Sequence, residues 1–237
     1  MDYREHYLRD AREFDYWGSD QFSAAETRRN QTVFELSALQ PGMDVLDVGS
    51  GRGWFSLHAA QSGTHVTALD LSPENLEQIK KLNPEIDTVY GDALDIPLKE
   101  KKFDLIVALE VLEHLTEPKA AVEGWKKLLK PAGKLLITVP YKESIRYTLC
   151  IHCNRKTPVN AHLHSFDRDS LYKLLNHHGF WIKQNRLFSH RLMIKLHLNQ
   201  LTKWLPFGFW KACDRLCRIF GDRYSFLAVT AVLQDER

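Results

Sequence analysis

The sequence predicts an α/β fold, a mostly parallel sheet with helices on both of its faces. Three observations predict it. Short, near-continuous apolar runs alternate with amphipathic stretches, the pattern of strands buried on both sides. A glycine corner, Gly49-Ser50-Gly51-Arg52-Gly53, directly follows the first such run. Acids stand at or just beyond the ends of the first three runs, at Asp47, Asp70 and Asp92.

Residues 2–16 and 24–38 read as helices, the second stopping at Pro41-Gly42. Asp44–Val48 is a short apolar strand, Trp54–Gln61 a helix and His65–Leu69 the next strand. Ser72-Pro73-Glu74 supplies an N-cap followed by proline at the first helical position and opens a helix to Leu82. Asp87–Tyr90 and Phe103–Leu109 are strands, and a helix lies near Pro118–Leu129. Pro131-Ala132-Gly133 forms the turn before a strand over Leu135–Val139. A helix over Asp167–His177 and a strand near Phe180–Leu187 follow. Residues 190–222 read as amphipathic helices broken at Pro206 and Gly208, and Tyr224–Leu233 closes the chain as a strand.

With 237 residues, 44% hydrophobic and 26% charged, the chain has the size and balance of one globular domain. This excludes a disordered chain, a collagen-like chain and a small disulfide scaffold. No run approaches the ~18–20 apolar residues of a spanning helix, and the charged start, Met1 to His6, predicts no secretory leader. The net charge of +2 gives no argument for nucleic acid, and none is expected as a partner. Its distribution is uneven: residues 186–223 hold eight Lys and Arg against Asp214 and Asp222, while the rest is mildly acidic. The cysteines fall in two close pairs, Cys150/Cys153 and Cys213/Cys217, which predicts a reducing cytoplasmic setting with free thiols or a metal.

In an open α/β sheet, ligands bind beyond the carboxyl ends of the strands, so the glycine corner is the candidate ligand site. Its spacing is G-x-G-x-G. A dinucleotide fingerprint would need a third glycine where Trp54 stands, and no Gly-Lys-Ser/Thr follows to cradle a phosphate. Asp47 at the mouth disfavours a pyrophosphate and favours a ligand carrying positive charge.

These residues resemble the class I S-adenosylmethionine-dependent methyltransferases. Asp47-x-Gly49-x-Gly51-x-Gly53 is similar to their first motif, and Asp70 in Ala68-Leu69-Asp70-Leu71-Ser72 stands where the family keeps an acid for the ribose hydroxyls. Gly91-Asp92-Ala93 resembles the adenine contact, and Phe103 through Leu115 the fourth-strand motif. Leu128 through Pro140 resembles the approach to strand five, with Pro131-Ala132-Gly133 in place of the usual Pro-Gly-Gly. The resemblance covers residues 33–140, and 165–234 in layout. It implies a Rossmann-like sheet of seven strands with the last one antiparallel. It further implies S-adenosylmethionine held by Asp47, Gly49, Ser50, Gly51, Gly53, Asp70, Leu71, Asp92, Ala93 and Glu110, with Asp47 or Glu110 facing the ammonium group. The plain alternative is that Asp47 and Asp70 only cap helices.

Methyl transfer from a sulfonium is a direct displacement that needs a base only for a protonated acceptor. His114, just after the fourth strand, is the candidate base; otherwise it packs the following helix. Glu110-x-x-Glu113-His114 resembles the metal-assisted small-RNA 2′-O-methyltransferases and some ubiquinone-pathway O-methyltransferases, which implies a hard ion such as Mg2+, with His162 or His164 adding a ligand. A further candidate is zinc on Cys150, Cys153, His162 and His164, since Cys-x-x-Cys followed by two histidines has zinc-knuckle spacing; similar C-x-x-C and His-Leu-x-Ser-Phe insertions after strand five occur in some bacterial members. The bland version is thiols and histidines lining an acceptor pocket. The Cys213/Cys217 spacing predicts core packing.

Residues 190–223 mix cations with Leu, Phe and Trp, the profile of an interfacial helix, an acceptor lid or a dimer face. The resulting expectation is one domain, 1–237, with a helical cap at 1–38, a Cys/His insertion at 141–166 and a basic amphipathic insertion at 190–223. Its expected activity is O-methylation of a small or lipid-like acceptor, with peripheral contact at the inner membrane face through 190–223. The competing readings are C- or N-methylation, and a non-catalytic binding or regulatory module of the same fold.

Overall fold

The computed structural model describes residues 3–14 and 23–234. Two helices come first, α1 (Tyr3–Glu13) and α2 (Ala24–Ser37). The predicted ends of the first helix at residues 2, 15 and 16 lie outside the described residues. Ser23 and Glu26 form a reciprocal capping box that fixes the start of α2.

From there strand and helix alternate: β1 (Asp44–Val48), α3 (Trp54–Gln61), β2 (His65–Asp70), α4 (Pro73–Leu82), β3 (Asp87–Tyr90), β4 (Phe103–Leu109), α5 (Pro118–Lys127) and β5 (Leu129–Pro140). A short hairpin, β6 (Tyr147–Leu149) with β7 (Lys156–Pro158), precedes α6 (Arg168–His177) and β8 (Phe180–His190). Three helices, α7 (Arg191–Lys195), α8 (Leu198–Leu201) and α9 (Phe207–Leu216), lead to β9 (Tyr224–Leu233).

The sheet has seven strands in the order β3-β2-β1-β4-β5-β9-β8. Strands β1 to β5 pair in parallel, and β9 runs antiparallel to both of its neighbours. This is the predicted fold. Val45, Leu46, Val107 and Leu136 are fully buried because helices cover both faces. The chain order reverses direction across the sheet at the β1/β4 boundary, which places a crevice at the carboxyl ends of those strands.

Two local expectations are corrected. Pro131-Ala132-Gly133 is not a turn but the start of a longer β5, where the ladder with β4 shifts register between Phe103 and Leu105 and Ala132 takes φ 57°. Gly208 does not break a helix: it sits in the first turn of α9, and Pro206 alone marks the boundary.

The segment at 190–223 has its own small core of Met193, Trp210 and Cys217, against which Cys213 packs. It is fastened to α2, where Arg28 Nη2 donates to the carbonyls of Thr202 (2.6 Å) and Leu205 (2.8 Å). Glu35 receives Arg186 and Lys211, both at 2.6 Å. No helix among the described residues is long and apolar enough to cross a membrane.

Candidate active site

The glycine corner is shaped by backbone that other residues resist. Gly49 takes φ +69°, and a Cβ there would meet Val111 Cγ2 at 2.7 Å. Gly51 takes φ +50° with open space where its Cβ would be. The corner is tied to β2, since the N–H groups of Gly49 and Ser50 both donate to the Leu69 carbonyl, at 2.8 and 3.0 Å. Asp70 Oδ2 accepts from Gly51 N at 2.7 Å and Oδ1 from Ser72 N at 2.8 Å. One carboxylate thus sets the corner and the start of α4, and burial pushes its pKa up.

Above the corner lies a cavity of about 350 Å³ at the carboxyl ends of β1 to β4. Gly49, Gly51, Asp70, Leu71, Asp92, Ala93 and Glu110, all predicted site residues, line it, and so does His114. Ser50 and Gly53 do not. Gly53 takes φ +66° as the cap of α3 and its α-carbon faces Ile79, so it serves the packing of α4.

The expectation that Asp47 faces a cationic ligand is corrected. Asp47 is 2% exposed, is absent from the cavity wall and accepts from Ser56 Oγ at 2.7 Å. It sits behind the corner because alternate residues of a strand point to opposite faces. Burial raises its pKa to about 7.

Glu110 does reach the cavity. It ends β4 in a left-handed conformation, φ 56°, an uncommon strain for a residue with a side chain. Its N–H donates to the Thr138 carbonyl at 3.0 Å, and burial raises its carboxyl pKa to about 7. Asp92 is engaged from above. Tyr3 OH donates to it at 2.6 Å, Leu94 N at 2.9 Å, and Arg4 Nε also pairs with it. Against the opposing effect of burial, these bonds hold its carboxyl below the usual range.

A helical cap was expected at 1–38, but the residues of α1 that reach the cavity were not among the predicted site residues. Tyr3, Tyr7 and Ala11 form an i, i+4, i+8 stripe that lines the cavity. That stripe was present in the sequence as two aromatics one turn apart among charged neighbours. Tyr7 OH lies 2.5 Å from His114 Nδ1. Burial, and next the nearby His162, lowers the His114 pKa to about 4.

Beside His114 is a second cluster. Glu113 is fully buried, and neither of its carboxylate oxygens has a hydrogen-bond partner. Burial, reinforced by Glu110, raises its pKa. One ligand atom each from Glu113, His114 and His162 lies within 4.8 Å of the others.

The predicted zinc set is corrected as an arrangement, because Cys150, Cys153, His162 and His164 are not brought together. Cys150 and Cys153 sit at the tip of the β6–β7 hairpin, where Cys150 N donates to Arg155 O and Asn154 N to Cys150 O. His162 pairs through Nδ1 with Glu143, and His164 Nε2 meets the Leu115 carbonyl at 2.9 Å. The thiols lie at the hairpin tip, whereas the histidine segment is fastened to the turn after β4, where Leu163 N and His164 N both donate to Glu113 O.

Comparison with known proteins agrees with this fold. Residues 13–185 match the model of a methyltransferase domain family. The demethylmenaquinone methyltransferase of Renibacterium salmoninarum is 36% identical over 120 residues, 50% of this chain and 51% of that protein. The ubiquinone biosynthesis O-methyltransferase of Erwinia tasmaniensis is 31% identical over 172 residues, 68% of each chain. The chain thus spans about half the length of the first of these curated relatives. A solved S-adenosylmethionine-dependent methyltransferase from Mesorhizobium loti superposes with a TM-score of 0.66 at 18% identity, over 89% of this chain and 100% of that one. With the family model matching residues 13–185, most of its length, the chain belongs to the methyltransferase domain family.

Proposed function

We propose that the protein transfers a methyl group from S-adenosylmethionine to an oxygen of a small, lipid-like acceptor. The observation that supports this most is the convergence of Gly49, Gly51, Asp70, Asp92 and Glu110 on one cavity whose wall also carries His114. S-adenosylmethionine supplies an electrophilic methyl group on a sulfonium, and displacement then depends chiefly on alignment.

In this reading Asp70 uses its remaining lone pairs for the ribose hydroxyls, as charge-assisted hydrogen bonds. Asp92 stands at the adenine side, with Leu71 and Ala93 as apolar walls. Glu110 meets the ammonium group, whose charge favours the ionised carboxylate. Gly51 leaves room that a side chain would fill. Asp47, Ser50 and Gly53 support the corner from behind.

His114 is neutral at pH 7 and takes the acceptor's proton as the acceptor oxygen forms its bond to the methyl carbon and the carbon–sulfur pair returns to sulfur. Tyr7, Val111 and Leu115 give its surroundings an apolar character suited to a hydrophobic acceptor. The relatives named for demethylmenaquinone and ubiquinone biosynthesis support a lipid-like acceptor, and the second supports oxygen. The same reading makes 1–237 one domain acting on the cytoplasmic side, with 1–38 as cap, although residues 1–2 and 15–22 lie outside the described residues. The Cys/His segment at 141–166 flanks the acceptor, 190–223 makes peripheral membrane contact, and nucleic acid has no part.

Isothermal calorimetry with S-adenosylmethionine and S-adenosylhomocysteine tests the proposal. Micromolar binding that weakens at least tenfold in Asp70→Asn supports it. No heat at millimolar ligand removes it.

One observation favours a second reading, in which a divalent cation assists. The orphaned, buried Glu113 carboxylate beside His114 and His162 fits a cation that takes oxygen and nitrogen ligands. Those three residues would hold it, and it would orient the acceptor oxygen as a Lewis acid. Titration with Mn2+ followed by electron paramagnetic resonance checks this. Stoichiometric binding lost in Glu113→Gln supports it, and an unperturbed aqueous signal excludes it.

A further inference from the structure

A second cavity, of about 260 Å³, lies at the far edge of the sheet, away from the glycine corner. Four arginines line it, Arg168 at the start of α6, Arg186 on β8, and Arg215 and Arg218 at the end of α9 and just after it, with Asp222 and Tyr224 beside them. One of the nearby arginines is already ion-paired, and the Asp222 carboxylate is hydrogen-bonded to a neutral hydroxyl. Arg186 pairs with Glu35, and Asp222 accepts from Tyr141 OH at 2.8 Å. Among the described residues, Arg168, Arg215 and Arg218 form no ion pair, and Arg168 Nε is buried without a hydrogen-bond partner. Converging guanidinium groups with unused donors repel one another unless an anion sits among them, and their forked geometry matches a phosphate.

The surface next to this cavity is apolar. On the turns that carry Arg215 and Arg218, Leu216, Ile219 and Phe220 are exposed by 65%, 79% and 63%. The same segment exposes Trp204 by 85% and Leu201 by 73%. Large apolar side chains concentrated on one exposed segment mark a contact surface. Interleaved with unpaired arginines, they have the chemistry of a segment lying in the headgroup layer of an anionic bilayer.

The register places this surface on the working side of the sheet. Strand β8 runs parallel to β1–β5, since β9 is antiparallel to both β5 and β8. Leu187 pairs with Leu227, and Leu227 with Val139, next to the last residue of β5. The arginine cavity therefore sits toward the same carboxyl-end edge as the candidate active site.

We propose that Arg168, Arg215 and Arg218 seat the headgroup phosphate of an anionic phospholipid while Leu216, Ile219 and Phe220 enter the acyl boundary, so that the protein docks on an anionic membrane surface by this edge. The proposal rests on the membrane contact of the function proposed above and sharpens it to one headgroup site. A docked protein would present its active-site edge to a lipid-like acceptor without drawing that acceptor through water.

Sedimentation with vesicles of phosphatidylcholine alone and with about one-third phosphatidylglycerol tests it. A basic residue near an anionic leaflet contributes about fivefold in affinity. The parent should bind the anionic vesicles at least tenfold better than the neutral ones. Arg215→Ala/Arg218→Ala should lose about 25-fold, with S-adenosylmethionine affinity unchanged as the control for folding. Lys119→Ala/Lys127→Ala on α5 should lose less than threefold, which separates a site from general attraction. Ile219→Ser/Phe220→Ser should also lose binding. Equal recovery on neutral and anionic vesicles overturns the headgroup site and leaves a purely apolar membrane contact. Recovery on neither overturns the membrane contact itself. An arginine-dependent thermal shift with inorganic phosphate but no vesicle binding assigns the cavity to a soluble anion and overturns the proposal.

Discussion

The Tyr7 hydroxyl meets His114 Nδ1 at 2.5 Å across 107 positions of sequence. One contact thus ties the first helix to the turn after the fourth strand, and it closes the cavity over the only wall that carries a histidine among its lining residues. If His114 accepts the proton of the acceptor, replacing it should affect turnover and leave nucleoside affinity alone. His114→Gln should lower kcat by roughly 10²–10⁴-fold, the usual contribution of general base catalysis, with Kd for S-adenosylmethionine within threefold. Tyr7→Phe should lower kcat less, by about fivefold, the worth of one ~1 kcal/mol hydrogen bond. Steady-state kinetics with a soluble phenolic or catechol acceptor reads both.

The two glycines of the corner should separate stability from binding. Gly49→Ala places a Cβ against Val111 in a left-handed backbone, which costs about 1–2 kcal/mol from the backbone alone. It should lower Tm by several degrees. Gly51→Ala meets no neighbour within 4 Å but projects into the cavity. It should lose more than tenfold in nucleoside affinity with a smaller change in Tm. Thermal melts and calorimetry on the two variants make the comparison.

Glu110 links ligand affinity to pH. Burial raises its pKa to about 7, so much of it is protonated in the free protein at pH 6. A cationic ligand binds the ionised form, and binding should then release a proton. Affinity for S-adenosylmethionine should rise between pH 5.5 and 7, below the ~7.7–8.0 range where an α-amino group itself titrates. In Glu110→Gln the rise should flatten. Calorimetry in buffers of different ionisation enthalpy counts the protons released.

Asp214 links stability to pH. It is buried under the β8–α7 junction, accepts from His190 N at 2.6 Å and Ser189 N at 3.1 Å, and burial raises its pKa from 3.8 to about 6. A carboxyl group whose folded pKa exceeds its unfolded one favours the fold when protonated. Its contribution is complete below about pH 3.8 and is lost as pH rises through about 6. Asp214→Asn removes this titration. The stability difference, parent minus variant, from urea midpoints should therefore fall between pH 4 and 6.5 and stay level above it.

Much of the sheet was legible because its signals are local. Apolar runs gave β1, β3, β4 and β9 with the bounds they have, and Ser72-Pro73 marked the start of α4. The corner was legible because only glycine tolerates its backbone. What escaped depends on distant chain. Which face Asp47 shows is decided by the pleat of β1 and by Ser56, nine residues on. The exposed hairpin β6–β7 has too few buried residues to leave a hydrophobic pattern, so the Cys-x-x-Cys spacing was read without the hairpin tip on which it lies, apart from His162 and His164. The part of α1 in the cavity is visible only once Tyr3 and Tyr7 find Asp92 and His114, contacts that no window of sequence contains.

The proposed function stands on the crevice above Gly49 and Gly51 holding the nucleoside. A crystal soaked with S-adenosylhomocysteine tests it directly. Density should lie along that crevice, with both ribose hydroxyls within hydrogen-bond reach of Asp70 and the amino group near Glu110. An empty crevice at saturating ligand, or density lodged at another site, would contradict it.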